Sequence, residues 1–494
     1  MKISELNYIN MKHPCFLKHK QKINKIKNMD DPSYLKKINF IMMKLITISI
    51  VLFAVTNNII AQGQGVGKKL TDDNNNIYYK LKPVYPVPYE IMKEEQIIFL
   101  LKKIHHYLDS VTPASLEDKE KGIIINDYSK IDENVIFSPG DFRLISYEWG
   151  VTYSGMILAA KVTGDKRFEE YVTKRLNLII NVIPYYKTIY NKNPKVANPV
   201  RSIIEPKSLD DAGSMCAAII KASKAKLITD ADPYINNYID YILNKEYRLT
   251  DGTLARNRPY NNTLWTDDLY MSVPALAQMG SYKDDYKCYD EAVKQVLQFS
   301  QRLFDHDKKL FMHGWVQDMK PHKPFYWGRA NGWAIMAIVE LLDVLPSNYH
   351  GREEILNILN EHVEGLAACQ SGTGFWHQLL DKQDSYLETS ATAIFTYSIA
   401  RAINNGYLDI KAYGPMVLLA WNAVTTKINN IGQVEGTCIG TGMAFDPVFY
   451  YHRPISEYAA HGYGPVILAG SEIITLMRKF KAEINDFAIM FHSK

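Results

Sequence analysis

The sequence Trp265-Thr266-Asp267-Asp268-Leu269-Tyr270-Met271 places two carboxylates beside a tryptophan, and the apolar run 273–279 follows almost directly. A carboxylate among aromatic side chains at the start of a buried helix is energetically costly, and such positions are often functional. The pattern therefore marks Asp267 as a candidate catalytic acid and base. It also predicts that the helix after it is buried on all sides.

Helical segments that are apolar nearly all round recur along the chain. More amphipathic stretches, such as 284–303 and 353–368, lie between them. A helix that is apolar all round belongs inside a fold, one with a single apolar stripe belongs outside, and self-similarity at this period indicates stacked helical hairpins. The apolar helices begin near Trp149, Asp211, Asp267, Asn331, Ser390 and Gly462, at intervals of 62, 56, 64, 59 and 72 residues. We therefore predict an all-α (α/α)6 barrel of six inner and six outer helices, closed because neither terminal hairpin has a polar capping face.

The inner helices of such a barrel run in the same direction, so their amino-terminal ends meet at one rim. We expect this rim to form a concave site of carboxylates, aromatic rings and one arginine, suited to an anionic ligand. Its predicted members are Trp149, Tyr153, Asp210, Asp211, Trp265, Asp267, Trp327, Arg329, Asn331, Trp333, Glu388, Ser390, Tyr458 and His461.

Asp211 and Asp267 come from neighbouring hairpins and are expected to lie close together. Each would then raise the pKa of the other, and burial against Trp265 would add to the effect. Such a pair suits general acid and base catalysis on a sugar. The alternative is that both residues are ordinary helix caps.

The stretch Trp327-Gly328-Arg329-Ala330-Asn331-Gly332-Trp333 combines a bidentate donor for a carboxylate or sulfate with rings that can stack on a sugar. Arg329 could instead pair with one of the aspartates. His313 follows an aromatic turn and is either a substrate contact or a structural histidine. Glu388 is most simply a first-turn charge that interacts with the helix dipole.

Composition excludes some classes of function. The 494 residues are 47% hydrophobic and 22% charged with a formal net charge of +4, which gives no reason to propose nucleic acid as a partner. Aromatic residues make up 12% and include 33 tyrosines, which favours a carbohydrate site, although most tyrosines would pack in the core. The five cysteines show neither C-x-x-C nor zinc spacing, so we expect no metal and no cofactor.

The amino-terminal region has the features of an export signal. Residues 42–61 contain Lys44, the apolar run 45–55 and the small residue Ala61, which is typical of a secretory signal peptide cleaved after Ala61. The expected location is periplasmic, and an uncleaved anchor is the alternative. We interpret residues 1–41 as a mis-annotated or disordered leader, 62–88 as a Pro/Tyr-rich approach segment and 89–494 as the catalytic domain.

These motifs resemble glycoside hydrolase family 105, the unsaturated rhamnogalacturonyl hydrolases, which are related to the unsaturated glucuronyl hydrolases of family 88. The similar stretches keep their order between about Trp149 and Met477. They are 265–271, 327–333, Gly374-Phe375-Trp376-His377-Gln378, Ser385-Tyr386-Leu387-Glu388-Thr389-Ser390-Ala391-Thr392 and His461-Gly462-Tyr463-Gly464. The resemblance implies an (α/α)6 barrel that hydrates the C4=C5 double bond left on a terminal uronic acid by polysaccharide lyases.

The resemblance also implies roles for individual residues. Asp267 would protonate C4 and then take a proton from the water that attacks C5, while Asp211 would fix the substrate and tune Asp267. Arg256 stands where the best-known pectin-directed members have a histidine, and extra arginines near the site suit a sulfated neighbouring sugar, as in ulvan. The implied substrate-binding residues are Trp149, Arg256, Trp265, His313, Trp327, Arg329, Asn331 and Trp333.

The expected activity is removal of the 4,5-unsaturated uronic acid from the non-reducing end of rhamnose-containing oligosaccharides derived from rhamnogalacturonan or ulvan. The oligosaccharide is the expected partner, without nucleic acid and without membrane insertion after signal cleavage. A conventional glycosidase or a polysaccharide lyase on the same barrel is one alternative. A non-catalytic oligosaccharide-binding protein is another.

Overall fold

The computed structural model describes residues 90–485 and 488–494. They belong to a compact unit that runs from Tyr85 to Lys494. The predicted leader, the signal peptide 42–61 and the approach segment 62–88 lie outside the described residues.

Helices make up most of the described chain. In chain order they are α1 (Glu94–Val111), α2 (Tyr147–Thr163), α3 (Lys166–Lys192), α4 (Arg201–Ile204), α5 (Leu209–Lys224), α6 (Asp232–Asp240), α7 (Asp267–Tyr270), α8 (Val273–Lys283), α9 (Tyr286–Leu303), α10 (Gly328–Leu342), α11 (Arg352–Ala368), α12 (Thr389–Asn404), α13 (Ile410–Thr425), α14 (Pro447–Tyr451) and α15 (Tyr463–Lys479). A π-helical turn, Tyr241–Lys245, extends α6, and short 3₁₀ turns occur at Tyr128–Lys130 and Ala460–Gly462.

The inner ring of the barrel consists of α2, α5, the α7–α8 pair, α10, α12 and α15. Each inner helix packs against the next, and α15 packs against α2, so the ring is closed. The outer helices α1, α3, α6, α9, α11 and α13 alternate with them along the chain. The (α/α)6 prediction is therefore confirmed, and each predicted inner helix begins within a few residues of its observed start.

Burial distinguishes the two rings as the sequence pattern predicts. Every residue of α10 from Gly328 to Leu342 is buried. In the outer helix α9, by contrast, the buried residues form one stripe that includes Cys288, Ala292, Val296 and Phe299. This spacing places them on one face of the helix, which packs on the inner ring.

Local sequence sets the start and end of α2. Ser146 is the N-cap and accepts a hydrogen bond from the backbone N–H of Trp149. Gly164 ends the helix in the left-handed conformation at φ 71°, where glycine is favoured. The start of α2 at Tyr147 decides which side chains of its first turn reach the rim.

Close packing explains the glycine in Asp211-Ala212-Gly213. A Cβ atom on Gly213 would overlap the backbone carbonyl of Met271 at the end of α7. The absence of a side chain therefore lets α5 approach the turn that carries Asp267.

Short antiparallel strands lie in the connecting segments. They form the sheets β2-β1-β3, β4-β7, β5-β6, β8-β9 and β10-β11. Their bounds are β1 (Leu116–Asp118), β2 (Ile123–Ile124), β3 (Val135–Phe137), β4 (Thr263–Trp265), β5 (Phe304–Asp305), β6 (Leu310–Phe311), β7 (Gly314–Val316), β8 (Trp376–His377), β9 (Leu387–Glu388), β10 (Phe480–Asn485) and β11 (Ala488–Ser493). The β4-β7 pair is the important one for the site.

Candidate active site

Asp267 faces His313 across the β4-β7 pair. Trp265 of β4 is paired with Gly314 of β7, and the backbone N–H of Thr266 donates to the carbonyl of His313 at 2.9 Å. This register brings His313 Nε2 to 3.2 Å from Asp267 Oδ2. The Asp267 side chain is 13% exposed and that of His313 only 1%, so the pair lies in a nearly dry environment that strengthens its electrostatic interaction.

Aromatic rings surround this pair. The rings of Trp327 and Trp265 lie 4.6 and 6.0 Å from the imidazole of His313. Trp333 stacks on Tyr270 at 4.9 Å on the other side of α7. Trp327 and Trp333 of the predicted block therefore pack against His313 and Tyr270, two residues close to Asp267.

Asp268, next to Asp267, belongs to a separate ion-pair network. Its fully buried carboxylate accepts from Arg256 Nε at 2.9 Å, while Arg256 Nη1 donates to Asp210 Oδ2 at 3.0 Å. Arg256 also lies 4.7 Å above the Trp265 ring. Burial raises the pKa of Asp268 and the Arg256 guanidinium opposes this rise. Asp268 therefore does more than start the helix, because it anchors a buried guanidinium.

Glu246 lies at the edge of the same network. Its Oε2 atom is buried without a hydrogen-bond partner. Burial, together with the negative charge of Asp268, raises the pKa of Glu246 from 4.5 to about 7. The folded protein therefore holds a proton there that the unfolded chain releases at lower pH.

Replacing Glu246 by glutamine is expected to change how stability depends on pH. Because the folded pKa of Glu246 is the higher one, the wild type loses stability as the pH rises from 4.5 to about 7, and the variant does not. We expect the two proteins to be similar near pH 4.5 and the variant to be more stable by about 3 kcal/mol above pH 7. Urea unfolding across this range measures the difference, with Glu120→Gln as an exposed control. A difference that does not vary with pH would contradict the prediction.

Two residues absent from the predicted substrate set also lie at the site, Tyr147 and Tyr450. The Tyr147 hydroxyl lies 2.6 Å from His461 Nε2. Burial raises the pKa of Tyr147 well above its usual range, and the charges of Glu148 and Asp267 act in the same direction. Tyr147 therefore keeps its proton. The Ser146 cap, which starts α2 at Tyr147, is the sequence signal that would have identified it.

Arg329 is buried, and its guanidinium donates hydrogen bonds to backbone carbonyls and not to an aspartate. Its Nη1 and Nη2 atoms donate to the carbonyls of Cys438 and Ile439, each at 2.7 Å, and Nη1 also lies 3.9 Å from Glu388 Oε1. Glu388 in turn accepts from the backbone N–H groups of Ser390 and Ala391 at the start of α12. The helix-terminus interpretation of Glu388 is thus correct.

The segment 438–446, called here the covering segment, passes over the site. A Cβ atom on Gly442 would lie 3.6 Å from the Trp265 ring, and one on Gly314 would overlap Met443 Sδ. Arg329 fixes one end of the segment through its two carbonyl bonds. Trp327, Arg329 and Trp333 are each 1% exposed, so little of their side chains is open to a sugar in this structure.

Two predicted substrate contacts, Trp149 and Asn331, are buried in the structure and make structural contacts there. Trp149 is fully buried, stacks on Phe142 at 4.8 Å and donates from its indole N–H to Tyr171, because its position in the first turn of α2 points it towards α3. Asn331 is also fully buried and exchanges two 2.8 Å hydrogen bonds with the backbone of Phe311. It thereby holds the strand that leads to His313.

Asp211 has a different partner from the predicted one. Its carboxylate accepts from Arg201 Nη2 at 2.9 Å and from the backbone N–H of Lys207 at 2.9 Å. With Asp210 and Tyr147 it lines a cavity of about 370 Å³ at the helix amino termini. Its role in fixing substrate and tuning Asp267 stays a prediction, as does sugar contact by Trp265 and His313.

Arg256, also predicted to bind substrate, is enclosed by carboxylates. Its guanidinium donates hydrogen bonds to both Asp268 and Asp210, and the residue is 8% exposed. In this structure Arg256 holds the turn, and its contact with substrate stays a prediction. Arg258, with a side chain 58% exposed, lies 4.7 Å over the same Trp265 ring and remains open to a ligand.

No cluster of three or more His, Cys, Asp or Glu side chains suited to a metal ion occurs within residues 90–485 and 488–494.

Known proteins are similar in sequence to part of this chain. The chain is 29% identical over 223 residues to an unsaturated 3S-rhamnoglycuronyl hydrolase of Formosa agariphila, over 43% of this chain and 58% of that relative's length. It is 24% identical over 261 residues to the unsaturated rhamnogalacturonyl hydrolase YesR of Bacillus subtilis, over 51% of this chain and 74% of the relative.

A solved structure supports the fold independently. A possible member of the GH105 family from Salmonella enterica superposes with a TM-score of 0.61 at 24% identity, covering 79% of this chain and 99% of that one. The family model described as Glycosyl Hydrolase Family 88 matches residues 117–477, which include the first five inner helices and nearly all of α15. The chain belongs to glycosyl hydrolase family 88.

Proposed function

We propose that the chain is an unsaturated glycuronyl hydrolase, which removes a 4,5-unsaturated uronic acid from the non-reducing end of rhamnose-containing oligosaccharides. The observation that carries this proposal is the division among the aspartates near Trp265. Asp210 and Asp268 share Arg256, whereas Asp267 faces His313. A conventional glycosidase uses two carboxyl groups that flank the scissile bond. Hydration of a double bond needs a single group that acts first as acid and then as base.

The proposed reaction uses Asp267 twice. Its O–H bond breaks as a C–H bond forms at C4, water adds at C5, and the proton of that water returns to Asp267. The resulting hemiketal opens and releases the remaining oligosaccharide. His313, at 3.2 Å, stabilises the carboxylate between the two proton transfers, and the aromatic walls keep this interaction strong.

The names of both relatives contain rhamnose joined to a uronyl group. One is an unsaturated 3S-rhamnoglycuronyl hydrolase and the other is an unsaturated rhamnogalacturonyl hydrolase. This shared element supports a rhamnose-linked substrate here. Arg256 is held by two carboxylates, so Arg258 is the better placed of the two arginines to contact a sulfate on the neighbouring sugar. We therefore include ulvan-derived as well as pectic oligosaccharides in the proposal.

Digests made by an ulvan lyase and by a rhamnogalacturonan lyase test the proposal. We expect loss of the ultraviolet absorbance of the conjugated double bond on at least one digest, together with release of the shortened oligosaccharide. Saturated p-nitrophenyl glycosides should remain intact. Cleavage of these glycosides, a gain of absorbance on intact polysaccharide, or binding of oligomers without turnover would each contradict the proposed activity.

We also propose that the protein is exported to the periplasm after cleavage behind Ala61. The proposal is supported by Lys44, the apolar run 45–55 and the small residue at the cleavage position. Within the part of the chain that the structure describes, no helix is both long and apolar enough to cross a membrane. Amino-terminal sequencing of protein expressed from Met42 should yield a chain that starts at Gln62. A retained Met42 would contradict cleavage.

A further inference from the structure

Tyr450 contacts both His313, which faces Asp267, and the covering segment. Its hydroxyl oxygen lies 2.7 Å from His313 Nδ1, on the side of the imidazole opposite Asp267. The same oxygen lies 3.2 Å from the backbone nitrogen of Ala444 and 3.3 Å from its carbonyl oxygen. The ring of Tyr450 is fully buried, so these contacts are shielded from water.

The distances at this hydroxyl favour one tautomer of His313. The backbone N–H of Ala444 donates to the Tyr450 oxygen, which leaves one O–H to give away. Of its two acceptors, His313 Nδ1 is the closer by 0.6 Å, and burial raises the pKa of Tyr450 so that its proton is retained. A neutral imidazole that accepts at Nδ1 carries its own proton on Nε2.

We propose that Tyr450 is a positioning residue, which holds His313 in the tautomer that carries its proton on Nε2, the ring nitrogen 3.2 Å from Asp267 Oδ2, and links this state to the position of the covering segment. The inference builds on the proposed function, because it assigns a role to Tyr450 in the same reaction. When Asp267 has given its proton to C4, the Nε2–H group stabilises the carboxylate. The proton from the attacking water then restores the carboxyl group.

Other charged groups also act on Asp267, His313 and Tyr450. Arg329 on α10 is the nearby cation, and Asp446 at the end of the covering segment acts on Tyr450. The titratable or charged groups that face Asp267, His313 or Tyr450 from the packed elements are Tyr147, Asp268, Arg329 and Asp446. None of these groups contacts His313 Nδ1, whose hydrogen-bond partner is Tyr450.

Tyr450→Phe removes the hydroxyl and keeps the ring. We expect kcat to fall by about 10- to 100-fold with a much smaller change in KM, because the loss lies in orienting His313 and not in a substrate contact. Without the fixed Nε2–H donor the Asp267 carboxylate formed after proton transfer to C4 is less stabilised, so the loss should appear in kcat.

Tyr451→Phe is the matched control, because this neighbouring hydroxyl is exposed and donates to Asp384. It should retain wild-type kinetics. In a His313→Gln background, Tyr450→Phe should cause little further loss, since its effect passes through His313. A Tyr450→Phe variant with the kcat and KM of Tyr451→Phe, or full additivity with His313→Gln, would overturn the inference.

NMR of isotope-labelled histidine gives a readout that does not depend on activity. We expect the His313 ring, identified by its loss in His313→Gln, to carry its proton on Nε2 in the wild type and to become a tautomer mixture in Tyr450→Phe. An Nδ1-protonated ring in the wild type would overturn the inference. A wild type without activity on any digest would contradict only the proposed function.

Discussion

Replacing Asp267 by asparagine is expected to lower kcat by about 10⁴-fold, at the upper end of the range for general acid and base catalysis, because one side chain serves as both acid and base. Asparagine is nearly isosteric, but its amide can neither deliver a proton to C4 nor accept one from water. The side chain is partly exposed, and its ionic contact is with His313, so the fold should be retained. The rate of ultraviolet absorbance loss on the active digest measures the effect.

Asp409→Asn provides the control for this change of chemistry. Asp409 is exposed and caps the outer helix α13 by accepting from the backbone N–H of Lys411, a role that asparagine fills equally well. It should therefore be active and folded. An Asp267→Asn protein that unfolds at the wild-type midpoint and keeps the full rate would refute the assignment of Asp267.

The largest effect on stability is expected from Arg256→Met. The substitution leaves the fully buried carboxylate of Asp268 without its cation, and removal of one partner from a buried ion pair costs about 3–5 kcal/mol. Asp268 adjoins Asp267 in α7, so activity should fall as well. The free energy of unfolding in urea is the quantity to measure.

The destabilisation by Arg256→Met should depend on pH. Burial already raises the pKa of Asp268, and loss of the guanidinium removes the interaction that opposes this rise. In the variant the folded carboxyl therefore binds a proton more tightly than the unfolded one, so its stability falls further as the pH rises. The deficit relative to wild type should be smaller at acidic pH than at alkaline pH.

Arg258→Met is the matched control for stability. Arg258 lies over the same Trp265 ring, but its side chain is mostly exposed and its contact with Asp210 is long, at 3.5 Å. Its loss should therefore cost less than about 1 kcal/mol. Equal costs for the two variants would show that burial of Asp268 does not control the stability of this turn.

The sequence predicted the barrel because its signals are local and repeated. Inner helices that are apolar all round, at intervals of about sixty residues, require burial on every side whatever their neighbours are. The same local pattern placed Asp267 at a helix start beside Trp265. It also identified Glu388, whose interaction with the first turn of α12 lies within three residues of itself.

Contacts between distant segments could not be predicted in this way. Trp149 shares the first turn of α2 with Tyr147, yet one packs into the core and the other reaches the site, depending on the rotation of α2 against α3. Asp211 binds Arg201 because of the path of the chain before α5. Such choices depend on packing between elements and leave no periodicity in the sequence.

For this protein, the sequence by itself determined the closed ring of hairpins and the acidic turn 265–271, because helix periodicity and burial act within each segment. Only the tertiary structure decided which aspartate of that turn is free. In the folded chain Asp268 is buried against Arg256, and Asp267 lies opposite His313. His313 in turn contacts Tyr450, which lies 137 residues further along the chain. The physical reason is that paired charges and hydrogen bonds are satisfied in space, and the order of residues along the chain does not specify which partner is nearest.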